Sequence, residues 1–347
     1  MPERVVARSA VARWTVATVL LGGFVFVFAM VYGDAAPQDA PSSIADPGLV
    51  TGWGLPVSRV IADLAGFVTI GFLLAVAFLM PAPAATAQGL AAQAVRNASW
   101  AATVWACVVA VELVFTISDL FFTPVWGLRL AESTSFMFDT AEGRALVAQI
   151  VMAAAVAVLS RWVLGIGSVT FVLVLAVLSV TPPALTGHSA SSGSHMLAVA
   201  SLLLHIVGAS LWVGGLVALG WVATRGSKRL PAAVGRFSVV ATWCIAVVAL
   251  SGVVNASVRV ERLSQLFTTG YGNLVLAKAA AIGALGAFGL MQRRRAIPRL
   301  RSDGAGRVFV GLAAVEILVM SATVALAVAL SRTPPPVPAD LYTDPVT

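Results

Sequence analysis

Residues 186–221, TGHSASSGSHMLAVASLLLHIVGASLWVGGLVALGW, decide how this chain folds. A small polar loop leads into an apolar run long enough to cross a bilayer, for which about 20 residues suffice. Loop and run together hold all three histidines of the protein, His188, His195 and His205. Within the run Ser201, His205, Gly208, Trp212 and Gly215 recur at steps of four and three. That is one face of a helix, with the period of a left-handed packing seam. Gly and Ser on such a face let neighbouring helices approach closely in lipid. His205 is therefore expected to point into a helix bundle, and a polar side chain inside the membrane marks a functional site by default.

Outward from this run the composition agrees. The chain has 347 residues, 59% hydrophobic and 11% charged, with a mean hydropathy of +0.94. Soluble domains carry about 25% charged residues. The expected fold is an all-α integral membrane protein, a polytopic bundle of nine transmembrane helices. The runs lie at about 13–33, 57–80, 98–119, 142–162, 166–182, 194–223, 234–256, 273–291 and 307–330. The first, with an apolar core from Trp14 to Tyr32, is longer than a signal-peptide core and reads as a retained anchor. Cys107 and Cys244 lie inside apolar runs and form no disulfide framework.

The formal charge of +7 points to topology rather than to nucleic acid, because most basic residues sit in short loops. With a cytoplasmic N-terminus, fifteen Lys and Arg fall inside and six outside: Arg59, Arg129, Arg144, Arg259, Arg262 and Arg332. Lys278 is left within the eighth run. This bias sets the N-terminus in the cytoplasm and the C-terminus outside. Residues 120–141 read as a short helix along the interface, and residues 331–347 as a proline-rich tail.

Depth along each run, at about 1.5 Å per residue, sorts the buried polar residues. Asp63, Glu112, Asp119, His188, His195, His205, Asn255 and Lys278 fall in the outer half, and Glu316 alone lies deep in the inner half. A charge inside lipid is costly without a partner. Lys278 is expected to pair with Asp63 or Glu112. Imidazole suits several transition metals, and thioether sulfur favours Cu(I). Met196 follows His195, and Met137 lies on the same outer side. A His and Met set opening outward fits a copper ion, Cu(I) over Cu(II). Either the three histidines share one ion, or an outer His188/His195 site relays to His205.

These residues carry a resemblance. TGHS at 186–189, His195, LHIVGASLWVGGLVAL at 204–219, RFS at 236–238, SGVVNASVR at 251–259 and TTGYGNLVLAK at 268–278 resemble the bacterial copper resistance D (CopD) family. The resemblance divides the chain into an N-terminal five-helix region (1–182) and a CopD-like four-helix core (183–330). It resembles the longer actinobacterial-type members, and Leu330–Pro336 looks like their junction to a CtaG-like cytochrome oxidase assembly domain. It implies an inner-membrane copper-handling protein with roles for His188, His195 and His205. A periplasmic copper chaperone or an oxidase assembly factor is the implied partner. No nucleotide-binding loop, CxxC metal motif or nucleophile–base motif is present, so neither an ATPase nor another enzyme is expected. Two other readings compete: a structural or assembly subunit of a respiratory complex without metal, and a b-type haem protein.

Overall fold

The structure is a computed structural model that describes residues 2–38, 45–80, 89–162, 165–186, 195–303 and 306–336. Every described regular element is helical. The long helices are α1 (Pro2–Tyr32), α2 (Gly48–Leu74, continued by a π-helical turn Ala75–Leu79), α3 (Leu90–Leu120), α4 (Ala141–Trp162), α5 (Ile166–Ser179), α6 (His195–Thr224), α7 (Leu230–Ser257), α8 (Gly270–Asp303) and α9 (Gly306–Arg332). Nine spans among the described residues are long and apolar enough to cross a membrane, as expected. The protein is a multi-pass membrane protein. Short helices at Leu130–Asp139, Pro182–Thr186 and Gln265–Thr268 fill three of the connections.

The helix ends correct two expectations. α2 begins at Gly48 rather than near 57, and α3 at Leu90 rather than near 98. The stretch Gly52–Trp–Gly–Leu–Pro56 reads as a loop in sequence, yet it is helical with Pro56 buried inside it. Membrane helices tolerate such residues where neighbours cover the freed backbone. Ser58 Oγ donates to the Leu55 carbonyl here (2.9 Å). The span Gly48–Leu79 is therefore 32 residues, and Asp63 lies about 22 Å along it instead of about 9 Å.

α2 and α6 form the centre. α2 packs on α3, α5 and α6, and α6 packs on α2, α7 and α9. Gly71 and Gly214 bring the two backbones into contact, and a Cβ on either would collide with main-chain atoms of the other helix. Beneath that crossing Phe72 meets Trp221 edge-on, ring centroids 5.3 Å apart. Trp105 of α3, fully buried, fills the space left by Gly66 on α2. α4 completes this side against α3 and α5. On the other side α1 lies along α9, where Phe26, Ala29 and Met30 pack on Leu326 and Ala329 in a second, smaller core.

Contacts between helix ends show which ends share a face. Arg225 donates to Gln93 (2.9 Å), Arg161 to Ser99 (3.1 Å), and Arg236 to the Phe78 and Leu79 carbonyls (3.2 and 3.4 Å). These join the end of α6 to the start of α3, the end of α4 to α3, and the start of α7 to the end of α2. At the opposite face Arg332 pairs with Asp119 (3.3 Å), and Asn273 donates to the Tyr32 hydroxyl (2.7 Å). Successive long helices thus alternate in direction, and one face carries the arginine clusters.

Candidate functional site

The face of α6 predicted from sequence is a real seam. Ser201, Gly208, Trp212 and Gly215 are all buried. Its partner is α7, whose residues Phe237, Ala241, Cys244, Val248 and Ser251 recur at the same steps of four and three. The helices are antiparallel, and the seams run in register. Gly215 faces Phe237, and Gly208 faces Val248 and the Cys244 backbone. His205 meets Ser251, Nδ1 to Oγ 3.0 Å.

That contact fixes the state of the ring. Ser251 has one hydroxyl proton, and it goes to the Val247 carbonyl at 2.6 Å. Its oxygen can then only accept from His205. The Val248 carbonyl is a second, longer acceptor for the same hydroxyl (3.2 Å). Nδ1 must carry the proton, a tautomer assigned from these partners. Nε2 keeps its lone pair and has no protein partner among the described residues. A histidine held by one nitrogen with the other bare is the arrangement that metal ligands use. Gly252 lies beside the ring: a Cβ there would stand 3.8 Å from Cε1 of His205. One turn further along α7, Asn255 donates to the Ser251 carbonyl (3.0 Å) and ties this patch together.

Among the described side chains, Asp63, Glu112, Asp119 and Met137 do not gather here. Glu112 of α3 is buried and pairs with Arg59 of α2 (2.9 Å), within electrostatic reach of Asp63. Lys278 therefore has neither expected partner. α8, which carries it, packs on α7 and α9, whereas Asp63 and Glu112 belong to the α2–α3 layer. Lys278 makes no ion pair among the described residues; its charge is felt by His205 and lies near Arg259. Arg59, counted above as an outer loop charge, is inside α2. Asp119 caps the opposite face through Arg332. Met137 sits on the Leu130–Asp139 helix, which packs on α4, and its backbone lies against Gly143. Met196, second residue of α6, is 84% exposed. His195 opens α6, but its side chain lies outside the described residues, as does all of His188. Among the described residues no group of three or more His, Cys, Asp and Glu could hold a metal ion.

Sequence reasoning missed Ser251 and Arg59. Ser251 stood within a quoted motif, and the period of α7 puts it on that helix's seam; the register that sets it opposite His205 comes from packing.

Fold and site define a polytopic helical membrane protein that holds one oriented imidazole in the bilayer half away from the arginine clusters. Residues 44–196 match the family described as copper resistance protein D-like, N-terminal domain, and residues 231–330 match copper resistance protein D. The chain is a membrane protein of the copper resistance protein D family. His205 falls between the two matched segments. Over 168 residues the chain is 30% identical to the copper transport protein CutJ of Bacillus subtilis (strain 168). That alignment covers 46% of this chain and 30% of CutJ, so the chain spans under a third of that relative's length. No solved structure matches.

Proposed function

We propose that this protein carries copper into or across the membrane, taking the ion at Nε2 of His205 from the face opposite the arginine clusters. The observation that supports this most is the hydrogen-bond chain from His205 through Ser251 to Val247, which leaves Nε2 free to bind. His195 starts α6 ten residues above His205, about 15 Å away along the axis. With His188 and the exposed Met196 it forms the mouth at which copper, as Cu(I), is first taken. Met137 is left out of this set, because its helix belongs to α4. Asn255 supports the Ser251 turn, while Asp63, Glu112 and Asp119 hold helices together through Arg59 and Arg332. Lys278 adds a like charge near the ion and keeps its hold on His205 weak enough for passage. Handing copper on toward oxidase assembly is a further proposed role, carried only by the resemblance of Leu330–Pro336 to a junction with an assembly domain.

The test is copper influx into proteoliposomes containing the purified chain. The His205→Ala variant is expected to lose at least nine-tenths of the influx while its folded yield stays unchanged. Influx at the parent rate in that variant removes the proposal.

A further inference from the structure

A cavity of about 250 Å³ lies between α6, α7, α8 and α9, in the half of the bundle nearer the arginine clusters. Trp212, Phe237 and Leu290 supply apolar wall, and Glu316, Gln292 and Arg293 supply polar wall. Glu316 is 5% exposed. Gln292 donates to one of its carboxylate oxygens (3.1 Å), and no cation is within ion-pair distance of it among the described residues. Arg293 lines the same cavity but is turned to Thr242, donating to its hydroxyl (3.4 Å). A carboxylate at this depth without a counter-charge is expensive, and a cation in the cavity removes that cost.

The cavity also lies further along the His205 seam. Trp212 stands seven residues beyond His205 on the same face of α6, about 10 Å along the axis. Between the two levels is Gly208, where a methyl of Val248 lies 3.1 Å from the position of a Cβ and closes the seam. An ion moving from His205 toward the arginine-rich face along this seam would have to pass the Gly208–Val248 contact before it reached the cavity and Glu316.

We infer that this cavity is the exit site for the copper cargo, with Glu316 compensating the charge of the ion and Gln292 holding the carboxylate in place. The inference rests on the copper-passage reading above. A hard oxygen donor after a nitrogen donor suits an exit, because soft copper is held less tightly there. Conduction needs sites that bind well enough to be entered and weakly enough to be left.

The experiment compares parent, His205→Ala, Glu316→Gln and Glu316→Asp in proteoliposomes, with copper ion as the probe. It measures influx and equilibrium copper binding, and melting in detergent verifies folding. Glu316→Gln keeps the size and a hydrogen bond to Gln292 but loses the charge. It is expected to bind copper at His205 as the parent does and to pass it at least tenfold more slowly, with Glu316→Asp recovering part of the rate. Parent-rate influx in Glu316→Gln overturns the inference while leaving the copper-passage reading intact. A Glu316→Gln variant whose only change is the pH dependence of influx also overturns it, since the carboxylate would then carry a proton. Parent-rate influx in His205→Ala sinks the copper-passage reading itself, and this inference with it.

Discussion

The Ser251 hydroxyl works twice: its proton anchors it to its own helix, and its lone pair receives the Nδ1 proton of His205. Removing it should free the ring to rotate and to change tautomer without opening the fold. Ser251→Ala is therefore expected to weaken copper binding about 10- to 100-fold, the usual cost of losing such a partner. A titration against a competing chelator measures this, and unchanged affinity would mean that ring orientation has no part in binding. His205 was legible in the sequence because its seam position could be read from one helix. Ser251 was not, because a seam pairs positions from two helices, and their register is set by packing. Lys278 was misassigned for a related reason. Depth along a helix can be counted from sequence, but which neighbour lies beside a given face cannot.

The ion pair between Arg59 and Glu112 fastens α2 to α3 away from the His205 seam. Breaking a fully buried pair leaves one charge stranded and costs about 3–5 kcal/mol, whereas replacing both partners by apolar residues is often neutral; the Arg59 side chain is 34% exposed, so the cost here falls below that range. Glu112→Leu alone is expected to lower the detergent melting temperature strongly. Adding Arg59→Met should recover most of the loss and leave copper influx near the parent rate. If the double variant folds but passes no copper, the pair belongs to the path and the assignment to packing is wrong. All nine long elements were legible from their apolar runs. The starts of α2 and α3 were not, since glycine and proline signal a break in water that a membrane helix absorbs.

Across the whole molecule, pairs of helix ends tie each face, and the arginine clusters mark one of them. The positive-inside bias assigns that face to the cytoplasm. With Cys107 and Cys244 replaced by alanine, Ser264→Cys, in the connection from α7 to α8, should react with a membrane-impermeant maleimide added outside intact cells. Ser227→Cys, in the connection from α6 to α7, should react only after the cells are opened. The reverse pattern would invert the direction proposed for copper. Orientation is an expectation from charge alone, and the labelling pattern tests it. The cavity beside Glu316 was not legible: the sequence suggested a hollow opening to the other face, and voids depend on how side chains fill space rather than on their order. The widened last turn of α2 bears on how such a protein is made. Its Phe78 and Leu79 carbonyls are met by Arg236, a residue translated more than 150 positions later. While the ribosome is still threading the intervening helices into the bilayer, that turn can pack on α3, α5 and α6, but its two carbonyls lack the guanidinium that caps them. The capping of that helix end is thus completed late in biogenesis, when the second turn of α7 docks.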